Sequence, residues 1–290
     1  SDWLEILRQD IAERVKDSFL SGAPVFEVSA QTGRGFEALA AHLNSMPSIV
    51  QTRKEYGKAR LYIDRSFVRT GIGGVVTGSL RGGELSVGQT VTVWPSLKSG
   101  KIRSLQTHNE DVQTVLPGHR TAVSLTGIDK DDLQRGGVLT DLAGIAYLKE
   151  HQVFAISVGL VKNAAVSIED RRRVLVMLGT TEVEGEIRLF GLPELKPGTS
   201  GIAFFKPEEP LLGLVGDRFI VRLPTPAITL GGGVVLDQLA QFPRRKELDD
   251  LSYLNRRTTG QLADIVASEF AKWPLVRETE LLRFADFGAL

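Results

Sequence analysis

Cysteine is absent from the 290 residues, and histidine occurs only four times. That excludes disulfides and thiolate metal sites, leaves no histidine cluster to hold a metal, and suits a reducing cytosol. Net charge is missing as well, since 35 Lys and Arg stand against 35 Asp and Glu. No global field draws the chain to nucleic acid, so any RNA contact must come from a local patch. No apolar run approaches the length that spans a bilayer, and the expectation is a soluble, cytoplasmic protein with no membrane partner. The start, SDWLEIL, carries no basic-then-apolar leader, and RETELLRFADFGAL stops without a Gly or Pro terminator. Both ends read as cuts through a longer protein. No paired carboxylates, nucleophile with His, or metal-ligand spacing points to catalysis.

What is present is a globular composition, 42% hydrophobic and 24% charged, at a length that supports two or three cores. The stretch Ala59 to Leu80, ARLYIDRSFVRTGIGGVVTGSL, is two strand-like runs joined by a turn with Gly71, Gly73 and Gly74. Strict alternation puts Leu61, Ile63, Arg65 and Phe67 on one face and Tyr62, Asp64, Ser66 and Val68 on the other. Arg65 among apolar neighbours is either a strand-end side chain that snorkels to water or half of a ligand-facing pair with Asp64.

Around this stretch the chain reads in order. Trp3, Leu4, Leu7, Ile11, Val15 and Phe19 have helical spacing. Next come a short strand, APVFEVSA, the turn QTGRG and a helix FEALAAHLNSM. PSIVQTRKEYG, residues 47–57, is an unpatterned linker whose Arg53 and Lys54 are solvated. From Lys58 to about Leu142, short Val-, Thr- and Ile-rich runs punctuated by glycine predict a small closed β-barrel. A second barrel follows from about Ile145 to Leu239, with no helical pattern inside it. The barrels close on similar segments, Arg135 to Asp141 and Gly231 to Asp237. Arg171, Arg172 and Arg173 form either a solvated charged edge or a phosphate contact. After Pro243 two helices are expected, the second with Leu262, Ile265, Val266, Glu269 and Phe270 near one face; Pro274 breaks the pattern before RETELLRFADF begins a third.

The DR pair, the glycine turn and GGVVTGSL closely resemble the opening of the second domain in translational GTPases of the elongation factor Tu class, and most of all the selenocysteine-specific, or SelB, type. LPELKPGTSGIAFFKPEEPLLGLVGDRFIVR with ITLGGGVVLD resembles the third domain of that type, although Met177 stands where the family often has His. Gln89 occupies a position where the family commonly has Asp, with no functional consequence expected. VSA-x-TG-x-G before a helix resembles the last guanine-recognition loop of a Ras-like GTPase domain, with Ser29 and Ala30 against the base. No GxxxxGK[ST] and no NKxD accompany it, so Ser29 and Ala30 read as orphaned site residues and GTP binding by this stretch is not expected. Asp141-Leu-Ala-Gly144 matches DxxG by chance.

The resemblance implies a mainly β fold: residues 1–52 as the C-terminal part of a GTPase domain, 58–142 as barrel domain 2, 143–240 as barrel domain 3, and 241–290 as the start of a winged-helix domain. It implies an aminoacyl-tRNA pocket of Asp64, Arg65 and Arg120, with the Leu61 and Thr121 strands as neighbours. It implies as partners selenocysteinyl-tRNA, the ribosome and, through further winged-helix modules, an mRNA hairpin; GTP and Mg²⁺ would serve the intact protein only. Another translational GTPase, such as an initiation factor gamma-like carrier, and a non-catalytic barrel interaction module are the alternatives.

Overall fold

The computed structural model describes all residues except 1, 17, 49–57, 70–72, 245–246, 248–250, 274, 278–280 and 286–290. Gly71 of the hairpin turn, Arg53 and Lys54 of the linker, and Pro274 therefore lie outside the described residues. The chain divides into two compact units, Ser1–Thr52 and Arg53–Leu290.

The first unit holds α1 (Asp2–Val15) and α2 (Phe36–Ser45). α1 stops before Phe19, because the Ser18 hydroxyl and amide both donate to the Val15 carbonyl, at 2.8 and 2.9 Å, and turn the chain. Phe19 is left 95% exposed. Residues 23–29 form no strand: a strand exists only where a neighbour takes its backbone bonds, and none among the described residues pairs with this segment.

The second unit is mainly β. Its first barrel comprises β1 (Arg60–Arg69), β2 (Gly73–Arg81), β3 (Leu85–Ser86), β4 (Thr90–Trp94), β5 (Lys98–Thr107), β6 (Glu110–Val112), β7 (Thr114–Val115), β8 (Arg120–Thr126) and β9 (Val138–Thr140). The order β4-β9-β1-β2-β8-β5 closes through a β4–β5 pairing, β6 extends β5, and β3 pairs with β7 as a separate ribbon. Leu61, Ile63, Val76, Val93, Ile102, Val123 and Leu139 fill the interior. Closure removes the open edges of the six-strand ring, which limits edge-to-edge aggregation.

A five-residue helix, α3 (Ala146–Glu150), leads into the second barrel, an element the alternating pattern did not announce. The barrel is built from β10 (Val153–Leu160), β11 (Ile168–Glu169), β12 (Arg172–Leu178), β13 (Thr181–Leu189), β14 (Glu194–Leu195), β15 (Ser200–Pro207), β16 (Arg218–Arg222) and β17 (Thr229–Leu239). β10-β15-β13-β12-β16-β17 forms the closed ring, with β11–β14 as a side ribbon. The glycine run in β17 is required by close approach: a Cβ on Gly233 would lie 1.9 Å from the Ser157 carbonyl oxygen, and one on Gly231 2.0 Å from that of Gly159.

The C-terminal part packs on this barrel through α4 (Tyr253–Arg257) and α5 (Leu262–Lys272). Leu251, Tyr253 and Leu254 join Val153, Ala155, Phe204 and Leu236 in one apolar cluster. In α5 the buried side is Ile265 and Ser268, while Leu262 and Phe270 are 41% and 51% exposed, so the expected stripe is only partly the packed one. Residues 281–284 form a turn rather than a third helix, and Ala285 bridges to Val215; Leu282 and Ala285 pack there with Val215 and Ile265.

Candidate functional site

The hairpin of β1 and β2 does not keep strict alternation. Ile63 pairs with Gly78 and Arg65 with Thr77, so Asp64 is the extra residue of a bulge. A bulge re-aims the side chains that follow it. Leu61 and Ile63 are fully buried, whereas Arg65 is exposed, not inward with them. The register sets Arg65 beside Thr77 on the outer face.

β1 and β8 are not neighbours either, because β2 runs between them. Asp64 nevertheless meets Arg120 across that strand. Arg120 Nη2 lies 3.1 Å from both carboxylate oxygens of Asp64, and Thr77 Oγ1, on the intervening strand, donates to Asp64 Oδ1 at 2.6 Å. The reason is parity: Arg120 pairs with Ser79 and Ala122 with Thr77 on the outer face, while Thr121 faces inward and is 1% exposed. Sequence reasoning missed Thr77, although its outward place in VVTG was the available signal. The Arg120 and Asp64 side chains are 58% and 26% exposed, and a pair so wet contributes at most about 1 kcal/mol to folding. A ligand can take over either partner at little cost to the barrel. Two guanidinium groups and one carboxylate on this face suit an anionic atom with a cationic neighbour.

The glycine-rich closing segments end on two aspartates with structural work. Asp141 accepts from the Ala59 amide at 2.8 Å and from Gln89 Nε2 at 3.2 Å; burial nonetheless raises its carboxyl above the usual aspartate range. Gln89 also takes the Ser86 amide at 2.9 Å, so the amide at this position does a job that an Asp could not do beside Asp141. The DxxG pattern is thus a barrel tether. Asp237 accepts from Lys272 at 2.7 Å, from Tyr253, and pairs with Arg257 at 3.2 Å. Arg257, 2% exposed, also donates to the Leu236 carbonyl at 2.8 Å and Ser268 Oγ at 2.7 Å and pairs with Glu269. Nothing in a lone Asp or Arg of the sequence announced this network.

Of the arginine run, Arg171 is exposed at positive φ, Arg172 donates to the Ser167 carbonyl at 3.3 Å, and Arg173 pairs with Glu184 and Glu208. In the first unit, described by itself, Ser29 lies in a closed turn: its amide donates to the Arg34 carbonyl at 3.0 Å and its carbonyl accepts from Gly33 at 2.9 Å, while Ala30 is exposed.

Comparison with known proteins follows the same lines. The family Elongation factor Tu domain 2 matches residues 73–140. A selenocysteine-specific elongation factor of Desulfomicrobium baculatum is 32% identical over 263 residues, 90% of this chain and 41% of that protein. The crystal structure of a bacterial selenocysteine-specific elongation factor, EF-Sec, superposes with a TM-score of 0.79 at 19% identity, covering 100% of this chain and 46% of the other. Elongation factor SelB of Methanococcus maripaludis, in complex with the GTP analogue GppNHp, gives 0.67 at 22% identity over 86% and 57% of the respective chains. The chain is similar to the elongation factor Tu class of translation factors. Within that class its likeness is to the selenocysteine-specific elongation factors, and it spans 41% of the length of the Desulfomicrobium relative. No helix among the described residues is long and apolar enough to cross a membrane.

Proposed function

We propose that this chain is the tRNA-holding body of a selenocysteine-specific elongation factor, and that the outer face of its first barrel receives the aminoacyl end of selenocysteinyl-tRNA for delivery to the ribosome. The observation that carries the reading is the Asp64, Thr77 and Arg120 contact across β2, with Arg65 on the same face. A selenol is more acidic than a thiol or an alcohol and is largely anionic at neutral pH. Arg65 and Arg120 favour that anion, and Asp64, held by Thr77, orients Arg120 or takes the α-amino group. Serine offers the guanidinium groups no anion, so discrimination rests on charge rather than size.

Nucleotide chemistry belongs, in this reading, to the intact protein with GTP and Mg²⁺. Phosphate binding dominates nucleotide affinity, and the sequence contains no GxxxxGK[ST]; Ser29 and Ala30 are then a guanine loop without its phosphate site. Residues 241–290 are, in this reading, the start of a winged-helix domain, and further winged-helix modules reach an mRNA hairpin.

The test uses the full-length protein. Arg65→Ala and Arg120→Ala are each expected to weaken selenocysteinyl-tRNA binding by about 1.5 to 3 kcal/mol, the scale of one charge-assisted hydrogen bond, with seryl-tRNA binding nearly unchanged. Equal losses for both tRNAs would remove the pocket assignment.

A further inference from the structure

Consecutive residues of a regular strand point to opposite faces, so Asp64 and Arg65 could not both serve one ligand if β1 were regular. They share the outer face because Asp64 is the extra residue between the pairs Ile63–Gly78 and Arg65–Thr77. The bulge is what makes two chain neighbours a working pair.

The residue opposite lets that bulge form. Gly78 has no left-handed φ, so space rather than conformation is what requires glycine there. A Cβ on it would lie 2.1 Å from the Tyr62 carbonyl oxygen and 2.8 Å from Leu61 Cδ2, and contact that close with backbone is relieved only by moving the strand. β1 has nowhere to retreat. On its other side the Ile63 amide donates to the Gly137 carbonyl at 2.9 Å, while the Ile63 carbonyl accepts from the Gly136 amide at 3.1 Å and from Thr180 Oγ1 at 2.8 Å. Any movement forced by a Cβ at position 78 therefore falls on the free member of the strand, Asp64.

We propose that Gly78 is a positioning residue for the aminoacyl end: by leaving its Cβ space to the Tyr62 carbonyl it holds the bulge that sets Asp64 and Arg65 on the face of Arg120, and so sets the preference for an anionic aminoacyl group. This role rests on the aminoacyl reading of that face. Gly78 itself is buried and acts through Asp64 and Arg65.

Gly78→Ala should flatten the bulge and turn Asp64 away from Arg120. In the 290-residue chain, the Arg120 Nε–H signal in heteronuclear NMR, assigned by its loss in Arg120→Lys, should move in Gly78→Ala as it does in Asp64→Asn. In the full-length protein the preference for selenocysteinyl-tRNA over seryl-tRNA should fall at least about tenfold, the scale of one charge-assisted hydrogen bond, with seryl-tRNA binding level. A glycine needed only for packing would lower the melting temperature and leave signal and preference in place. Deletion of Asp64 gives a second comparison, because it keeps the pairs on both sides and removes the bulge. In that background Gly78→Ala should fold and melt close to its parent, even if the single variant is too unstable to handle. A moved signal with an unchanged tRNA preference upholds Gly78 as the residue that sets the bulge and overturns the aminoacyl reading of the face instead. An unmoved Arg120 signal in a folded Gly78→Ala protein, or the same loss of stability with and without Asp64, overturns the proposal.

Discussion

Arg60 of the first barrel and Asp217 of the second are joined by a two-pronged ion pair, with Arg60 Nη2 3.0 Å from Asp217 Oδ1 and Nη1 on the other oxygen, and their side chains are 0% and 1% exposed. Tyr62 accepts from Arg60 at 2.8 Å, and the Leu214 amide completes the carboxylate at 2.8 Å. Around this pair Tyr62, Trp94 and Val138 of the first barrel share one apolar cluster with the interior of the second, and Thr180 and Thr181 donate across to the carbonyls of Ile63 and Gly136. The two barrels are one packed body.

A buried pair loses most when one partner is removed, because the other is left charged and dry. Arg60→Met is therefore expected to cost about 3 to 5 kcal/mol in urea unfolding, and Arg60→Met with Asp217→Leu to recover most of it. A single variant costing no more than a surface pair would refute the view that this contact holds the barrels together.

Gly179 is the steric counterpart. It has φ 62°, and a Cβ there would lie 2.2 Å from the Tyr62 ring. Gly179→Ala should lower stability by about 1 to 3 kcal/mol through overpacking, more once backbone strain is added. Combining it with Tyr62→Ala should leave only the backbone part, so the two losses should fall short of additive. Additive losses would place the clash elsewhere.

The joint to the C-terminal helices should come apart at both extremes of pH. Burial pushes the Asp237 carboxyl up, but Arg257 and Lys272, with hydrogen bonds from Lys272 and Tyr253, outweigh it and hold the carboxyl below the usual range. Its contribution is full above the unfolded value of about 3.9 and is lost as pH falls through the lower folded value. Tyr253 goes the other way, raised by burial and then by the Asp237 charge. Its contribution is full below the unfolded value of about 10 and falls progressively as pH rises from there toward the higher folded value. Urea midpoints followed from pH 2 to 11 should decline at both ends, and Tyr253→Phe should remove much of the alkaline decline. An unchanged alkaline limb in Tyr253→Phe would count against this assignment.

Gln89→Asp should be harmful in this chain. It trades the amide donor to Asp141 for a second carboxylate beside a carboxyl whose pKa burial already raises. A cost of about 1 to 3 kcal/mol at pH 7 is expected for the lost bond and the repulsion, shrinking toward pH 4 as a proton is taken up. A pH-independent cost would show that the two carboxylates do not interact.

Sequence alone determined that the two stretches are β-barrels, because β-branched runs of alternating polarity between glycine turns have few other ways to hide their apolar side. It also singled out Asp64, Arg65 and Arg120, but through family likeness to DR and VVTGSL rather than through periodicity. Only the tertiary structure decided how Asp64 and Arg120 meet and which face Arg65 takes. A bulge is invisible to a period of two, so Arg65 was read on the inner parity, and strand order is long-range, so β2 was not seen to run between β1 and β8 with Thr77 in the gap. The same limit hid Arg60 with Asp217, 157 residues apart, and Asp237 with Arg257. A buried charge looks like any surface charge in one dimension, since its partner and its dryness are fixed by packing that brings distant segments together.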